Sequence, residues 1–219
     1  MQYLHQGTGG NIIPINGDFP PSHITITPST SVATDIWRKP GPPKIDTFNA
    51  PVLYRSIPLE EFQSVRITVA AKWRELYDQG GLVFVLPAKK GKEEERKWIK
   101  TGIEFYENEA YVSTVACDLW ADWSLVQTGI KNLHSGEKEV TLEMERREKD
   151  DTLWVYVVDG EKKMPVREVT WALSDVDGNM GDMEEKVCWV GVYAATPTVG
   201  QGRSELEVRF EGLKYEDRE

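Results

Sequence analysis

The side chains best suited to chemistry stand on short stretches in which polar and apolar residues alternate. Lys100 and Glu104 share one stretch with Trp98. An extended chain rises about 3.3 Å per residue, so the three share a strand face, but Lys100 and Glu104 are too far apart for their own backbone to pair them. Asp78 precedes a glycine pair at the start of another apolar stretch. Two carboxylates in one groove can act as acid and base, as in glycoside hydrolysis; Asp78 is equally suited to tie the loop that enters its strand.

Aromatic residues occupy the second face of several of these stretches. A ring with a polar tip, presented by a concave sheet, suits a sugar or another polyol-like small ligand. The alternative is that the aromatic residues only pack beneath loops. The candidates for a groove lining, beside Lys100 and Glu104, are Trp98, Tyr111, Ser113, Trp154, Tyr156, Trp189 and Tyr193.

Residues typical of metal or nucleophile sites do not cluster in the sequence. The three histidines, His5, His23 and His134, are isolated and show no metal-ligand spacing. The run from Asp175 to Asp182 brings oxygen ligands together, but it lacks the terminal Glu of a calcium-binding EF-hand loop, and an Asx-rich turn is favoured. We therefore expect no metal and no cofactor.

Strict alternation dominates the chain from residue 64 onward. Val65, Ile67 and Val69 point one way while their neighbours point the other, which is the period of a half-buried strand. Three stretches carry large side chains on both faces, at residues 82–86, 153–157 and 188–193, and predict a sheet covered on both sides. Many short strands without a long amphipathic helix predict an all-β sandwich or jelly roll.

Length and composition favour one soluble domain. The 219 residues suffice for one large sandwich, and residues 1–34 form a Gly-, Pro-, Ser- and Thr-rich arm that packs on it or adds an edge strand near His23. A net charge of -10 argues against a nucleic-acid partner. No apolar run is long enough to span a membrane, and residues 1–21 lack the pattern of a secretory leader, so we expect neither feature. Two cysteines without a glycosylation sequon favour the cytoplasm.

The chain also resembles a known family. The resemblance is carried by the segments Tyr77-Asp78-Gln79-Gly80-Gly81-Leu82, Trp98-Ile99-Lys100-Thr101-Gly102-Ile103-Glu104-Phe105, Ser113-Thr114-Val115 and Asp122-Trp123-Ser124. In their order and spacing they resemble the uncharacterised concanavalin-A-like domain family that includes the fungal regulation-of-enolase protein. The similarity runs from about Asp35 to the end of the chain.

The resemblance implies a cytoplasmic concanavalin-like jelly roll over residues 35–219, built from two antiparallel sheets, with no established reaction. It places the groove at Asp78, Gln79, Trp98, Lys100, Glu104, Ser113 and Trp123. The glucanase pattern Glu-X-Asp-X-X-Glu is absent, because the matching strand offers Glu104 alone, and this departure argues against glycosidase activity.

Three functions remain open at this point. The first is a non-catalytic or regulatory module that binds a carbohydrate or related metabolite in the concave aromatic groove, with carbon metabolism as the process it would regulate. The second is an enzyme that uses Glu104 as acid or base, with Lys100 and Asp78 in support. The third is a regulator that binds a protein partner through an exposed patch and needs no small ligand.

Overall fold

The structure is a computed structural model that describes residues 4–6, 10–13, 22–89, 91–174, 186–199 and 205–218. In these ranges the chain forms two large antiparallel sheets, a two-stranded hairpin and two short 3-10 helices, Leu59–Glu61 and Glu93–Glu95. The predicted all-β sandwich of two antiparallel sheets is confirmed. No helix in this part of the chain is long and apolar enough to cross a membrane.

The first sheet carries the candidate site and has seven strands. Their spatial order is β1 (Leu4–Gln6), β6 (Val52–Pro58), β16 (Val187–Ala195), β8 (Gln79–Leu86), β9 (Lys97–Tyr106), β10 (Glu109–Cys117) and β11 (Ala121–Val126).

The second sheet has eight strands and closes the other side of the sandwich. Their spatial order is β15 (Lys162–Val169), β14 (Thr152–Asp159), β13 (Lys138–Arg147), β7 (Phe62–Ala71), β17 (Val208–Asp217), β3 (His23–Pro28) and β2 (Gly10–Ile13), with β12 (Lys131–Asn132) paired to β13. The segment near His23 thus forms β3, which lies between β17 and β2. The division of the chain at residue 35 stays a prediction.

The main hydrophobic core lies between the two sheets. Alternation sends one set of side chains from each strand inward, as with Ile67 and Leu142 from the eight-stranded sheet and Phe84, Ile99 and Val190 from the seven-stranded sheet. All five are fully buried. This burial is the main apolar driving force of the fold.

A second apolar cluster covers the outer face of the seven-stranded sheet. A hairpin formed by β4 (Ile36–Lys39) and β5 (Ile45–Phe48) lies over this face, and Ile36 is fully buried there against the sheet. The central strands β8 and β16 are therefore covered on both sides, as their sequences predict. The sheet residues in this cluster are Val52, Tyr54, Val83, Val85, Trp98, Val115, Cys117, Tyr193 and Ala195.

Candidate functional site

Cross-strand pairing sets the floor of the site on the outer face of the seven-stranded sheet. Glu104 on β9 lies opposite Gln79 on β8, and two residues further along Gly102 lies opposite Gly81. On the other side of β9, Gly102 is paired with Ser113 of β10. Because side chains alternate along each strand, these residues share one face.

Glu104 is a buried carboxylate held by two donors. Its side chain is buried, and Oε2 accepts hydrogen bonds from Ser113 Oγ at 2.6 Å and from Trp123 Nε1 at 3.1 Å. Burial raises the pKa of Glu104, while the charge of Lys100 and the two hydrogen bonds oppose that rise. Among the described residues only Oε2 is hydrogen-bonded, so Oε1 is free to accept a hydrogen bond from a ligand.

Lys100 is a buried ammonium group that reaches along the sheet. It starts opposite Val83, yet its Nζ donates to Gln79 Oε1 at 2.6 Å and to Asp35 Oδ1 at 3.2 Å. The Lys100 side chain therefore extends along the sheet past the cross-strand pair Gly81 and Gly102, toward Gln79. Neither glycine can carry a side chain in place, because a Cβ would lie about 2 Å from a backbone oxygen of the neighbouring strand.

Aromatic side chains form the walls above these charges. Trp123 contacts three other rings edge to face: Trp37 at 6.3 Å between centroids, Tyr77 at 6.3 Å and Tyr106 at 5.5 Å. Edge-to-face packing fixes ring orientation and adds to the stability gained from burial alone. The result is a rigid aromatic wall beside Glu104.

Floor and walls line a partly open cavity of about 310 Å³. This volume is at the small end of the range of about 300–1,000 Å³ that is usual for small-ligand sites. Its lining combines four charged groups with three aromatic rings. The lining residues are Asp35, Trp37, Lys39, Tyr77, Gln79, Lys100, Glu104, Val115, Trp123 and Pro197.

The structure gives Asp78 a place different from the one hypothesised. It is buried, its Oδ1 accepts from Thr196 Oγ1 at 2.9 Å, and its Oδ2 accepts from Glu75 N at 3.1 Å. Asp78 is not among the residues that line the cavity, because it precedes Gln79 and alternation turns it to the opposite side. The role as a loop tie, which the sequence left open, is the one its contacts support.

The structure also places three of the predicted ligand-binding aromatics outside the lining of the cavity. Trp98 is on the correct face but is fully buried in the outer apolar cluster and does not line the cavity. Trp154 and Tyr156 lie on β14 of the other sheet, where they stack at 6.1 Å on that sheet's outer face. Both rings are half-buried there, with cations over them, and they belong to neither the cavity nor the core.

The remaining aromatic candidates lie beside the cavity. Tyr193 is fully buried and its hydroxyl is 3.3 Å from Gln79 Oε1, while Trp189 stacks on Tyr54 at 4.6 Å. Tyr111 is paired with Glu104 across β10 and β9 but does not line the cavity. Tyr193 and Tyr111 thus adjoin residues of the site, whereas Trp189 packs against the outer apolar cluster.

The candidate site residues named from the sequence did not include those that the loops and the hairpin contribute. Asp35, Trp37 and Lys39 come from the hairpin and its approach, and Asp35 is 65 positions away from Lys100. Tyr77 has a left-handed backbone with φ of 66°, a strained conformation for a residue with a bulky side chain. The position of Asp35 at the start of the family resemblance is the one signal that could have drawn attention to it.

No metal-binding cluster accompanies the site. No group of three or more potential ligands that could hold a metal ion occurs in the described part of the chain. The run Asp175 to Asp182 lies outside the described residues.

Comparison with known proteins supports the fold. The structure is similar to a functionally unknown protein from Saccharomyces cerevisiae, with a TM-score of 0.67 and 20% identity over 97% of this chain and 98% of that one. It is also similar to a legume lectin-like domain from Entamoeba histolytica, with a TM-score of 0.52 and 14% identity over 99% and 90% of the two chains. At these identities the likeness shows a concanavalin-like fold alone.

Sequence comparison identifies the family. An uncharacterised protein of Emericella nidulans is 46% identical over 183 residues, which are 84% of this chain and 82% of that protein. The model of the family described as proteins of unknown function, DUF1349, matches residues 20–218. This span begins before Asp35, so the similarity includes β3. The chain therefore belongs to the DUF1349 family.

Proposed function

We propose that the chain binds a carbohydrate or a similarly hydroxylated small metabolite in the cavity above Glu104. The observation that carries this proposal is the meeting of a carboxylate, an ammonium group and an aromatic wall in one cavity of ligand size. Sugars have the matching chemistry, since their hydroxyls both donate and accept hydrogen bonds and their ring faces are apolar.

Each part of the lining has a defined role in this proposal. Glu104 Oε1 accepts from a ligand hydroxyl, because Oε2 is already occupied by Ser113 and Trp123. Lys100 has a third proton beyond those it gives to Gln79 and Asp35. Both groups are held in place before the ligand arrives, which lowers the entropy lost on binding.

Thermal unfolding with a panel of sugars, sugar phosphates and sugar acids tests the proposal. A ligand that binds only the folded chain raises the melting temperature in a concentration-dependent way. Trp37→Ala should abolish the shift, because Trp37 lines the cavity. Trp120→Ala is the matched control, since Trp120 is also half-buried but does not line the cavity. Absence of any shift across the panel, or an unchanged shift in Trp37→Ala, would contradict the proposal.

A second candidate function is acid and base catalysis on the same ligand. The raised pKa of the buried Glu104 favours it, because a general acid must hold its proton near neutral pH. Asp35 then takes the supporting role first given to Asp78, since Asp35 lines the cavity and contacts Lys100. Release of the aryl group from a panel of aryl glycosides would reveal turnover, and Glu104→Gln should remove it while ligand binding persists.

A third candidate is the binding of a protein partner. Val32, Leu76 and Val199 are exposed, and each is on a loop within three positions of a residue that lines the cavity. The loops are joined, as Thr198 Oγ1 donates to the Leu76 carbonyl at 2.8 Å. Changing all three apolar residues to Ser should abolish complex formation in cell extract but preserve any sugar-induced stabilisation. A cytoplasmic location and a regulatory role in carbon metabolism stay predictions.

A further inference from the structure

The β4–β5 hairpin occupies much of the sheet face on which a long ligand would lie. Ile36 and Phe48 form a cross-strand pair whose side chains pack into the outer apolar cluster, together with Val83, Val85 and Trp98 of the sheet. Ile36 has no solvent exposure. The hairpin is thus part of a packed layer, and moving it would expose apolar surface on both sides.

Arg38 joins the two strands of the hairpin and ties the hairpin to the segment that leads into β9. Its guanidinium donates from Nε to Asp46 Oδ1 at 2.9 Å and from Nη1 to the Arg96 carbonyl at 2.8 Å. The side chain is almost fully buried, so both contacts are protected from water. Arg96 itself lies against the Phe48 ring at 4.2 Å, which adds a contact between the approach to β9 and the hairpin.

The cavity is therefore bounded by the hairpin, by two loops and by β11, and it is partly open to solvent. Trp37 and Lys39 of the hairpin bound it on one side, and Tyr77 and Pro197 bound it where their loops meet. Trp123, on the edge strand β11, forms a further wall. A polymer that lay along the strands or crossed toward β11 would run into one of these walls.

We infer that the cavity takes one terminal sugar unit, or a free monosaccharide-sized metabolite, and excludes internal units of a polysaccharide. This inference rests on the proposed carbohydrate-binding function and specifies its ligand class. The lining has one set of hydrogen-bonding groups, centred on Glu104 and Lys100, and a volume of about 310 Å³ at the small end of ligand sites. Further units of a chain extend into solvent and add little binding.

Titration calorimetry with ligands of increasing length tests the inference. The probes are methyl glycosides of glucose, xylose and galactose, their di-, tri- and tetrasaccharides, and soluble glucan, xylan and galactan. Within the series that binds, we expect the Kd of the tetrasaccharide to be within about threefold of that of the methyl glycoside. Partial hydrolysis of the polysaccharide at constant mass should raise binding in proportion to the number of chain ends.

Two other outcomes separate the two proposals. An affinity that rises about tenfold for each added unit, with unchanged binding after partial hydrolysis, would show an open groove and overturn the inference while leaving sugar binding in place. If none of these sugars binds, the carbohydrate proposal fails and the inference fails with it. Trp37→Ala should raise the Kd of every probe that binds by the same factor, because all of these probes place their terminal unit in the same cavity.

Discussion

Replacing Asp78 by Ala should destabilise the fold rather than remove a catalytic group. The buried Asp78 carboxylate accepts hydrogen bonds from Thr196 Oγ1 at 2.9 Å and Glu75 N at 3.1 Å. Hydrogen bonds to charged groups contribute about 1.5–3 kcal/mol each, so losing both should lower the free energy of unfolding by about 3–6 kcal/mol. Typical domains have only about 5–15 kcal/mol in total.

Equilibrium unfolding in urea measures this loss directly. The midpoint should fall with little change in slope, since the slope follows the surface exposed on unfolding. Thr196→Val keeps the side-chain shape and removes one bond, so its effect should be about half as large. Asp118→Ala is the control, because Asp118 is half exposed in its ion pair with Lys97 and such pairs contribute about 0–1 kcal/mol. An Asp78→Ala variant within about 1 kcal/mol of the unmodified chain would refute the structural role.

Three further predictions concern the site and its scaffold. Burial raises the pKa of Glu104 above its value near 4.5 in the unfolded chain, so the folded chain holds this proton more tightly. The free energy of unfolding should therefore fall as the pH rises from about 4.5. Glu104→Gln should remove this part of the pH dependence in thermal unfolding. Gly102→Ala should lower the free energy of unfolding in urea by about 1–3 kcal/mol or more, because the new Cβ would lie 1.9 Å from the Gly80 carbonyl oxygen. A change near zero would contradict the close approach of the two strands. Cys117 and Cys188 should resist iodoacetamide until the chain unfolds, because burial raises the pKa of their thiols to about 11 and about 12. Rapid labelling of the native chain, measured by mass spectrometry, would count against that burial.

The sequence was sufficient to predict the all-β fold class, because strand alternation is a local property. The inward set Val65, Ile67 and Val69 is fully buried, as its period predicts. The same period could not say which sheet a strand joins. Trp154 and Tyr156 were assigned to the groove for this reason, although their strand belongs to the other sheet.

The candidate site was predictable in its floor and in one wall residue, Trp123. Gln79, Lys100, Glu104, Ser113 and Trp123 come from neighbouring strands, and the structure brings all five together. The other walls come from a hairpin and two loops. Their positions depend on long-range packing, and no local sequence pattern encodes such packing.

The anchoring of the β4–β5 hairpin also bears on how the sequence can vary. Arg38 binds main-chain oxygens in the segment before β9, at Arg96 and Glu93, rather than the side chains of that charged run. Carbonyl groups are common to all residue types, so residues 91–95 are free to diverge between relatives without loosening the cover of the cavity. Arg38 itself has no such freedom, because a lysine lacks the planar set of donors that satisfies several acceptors at once.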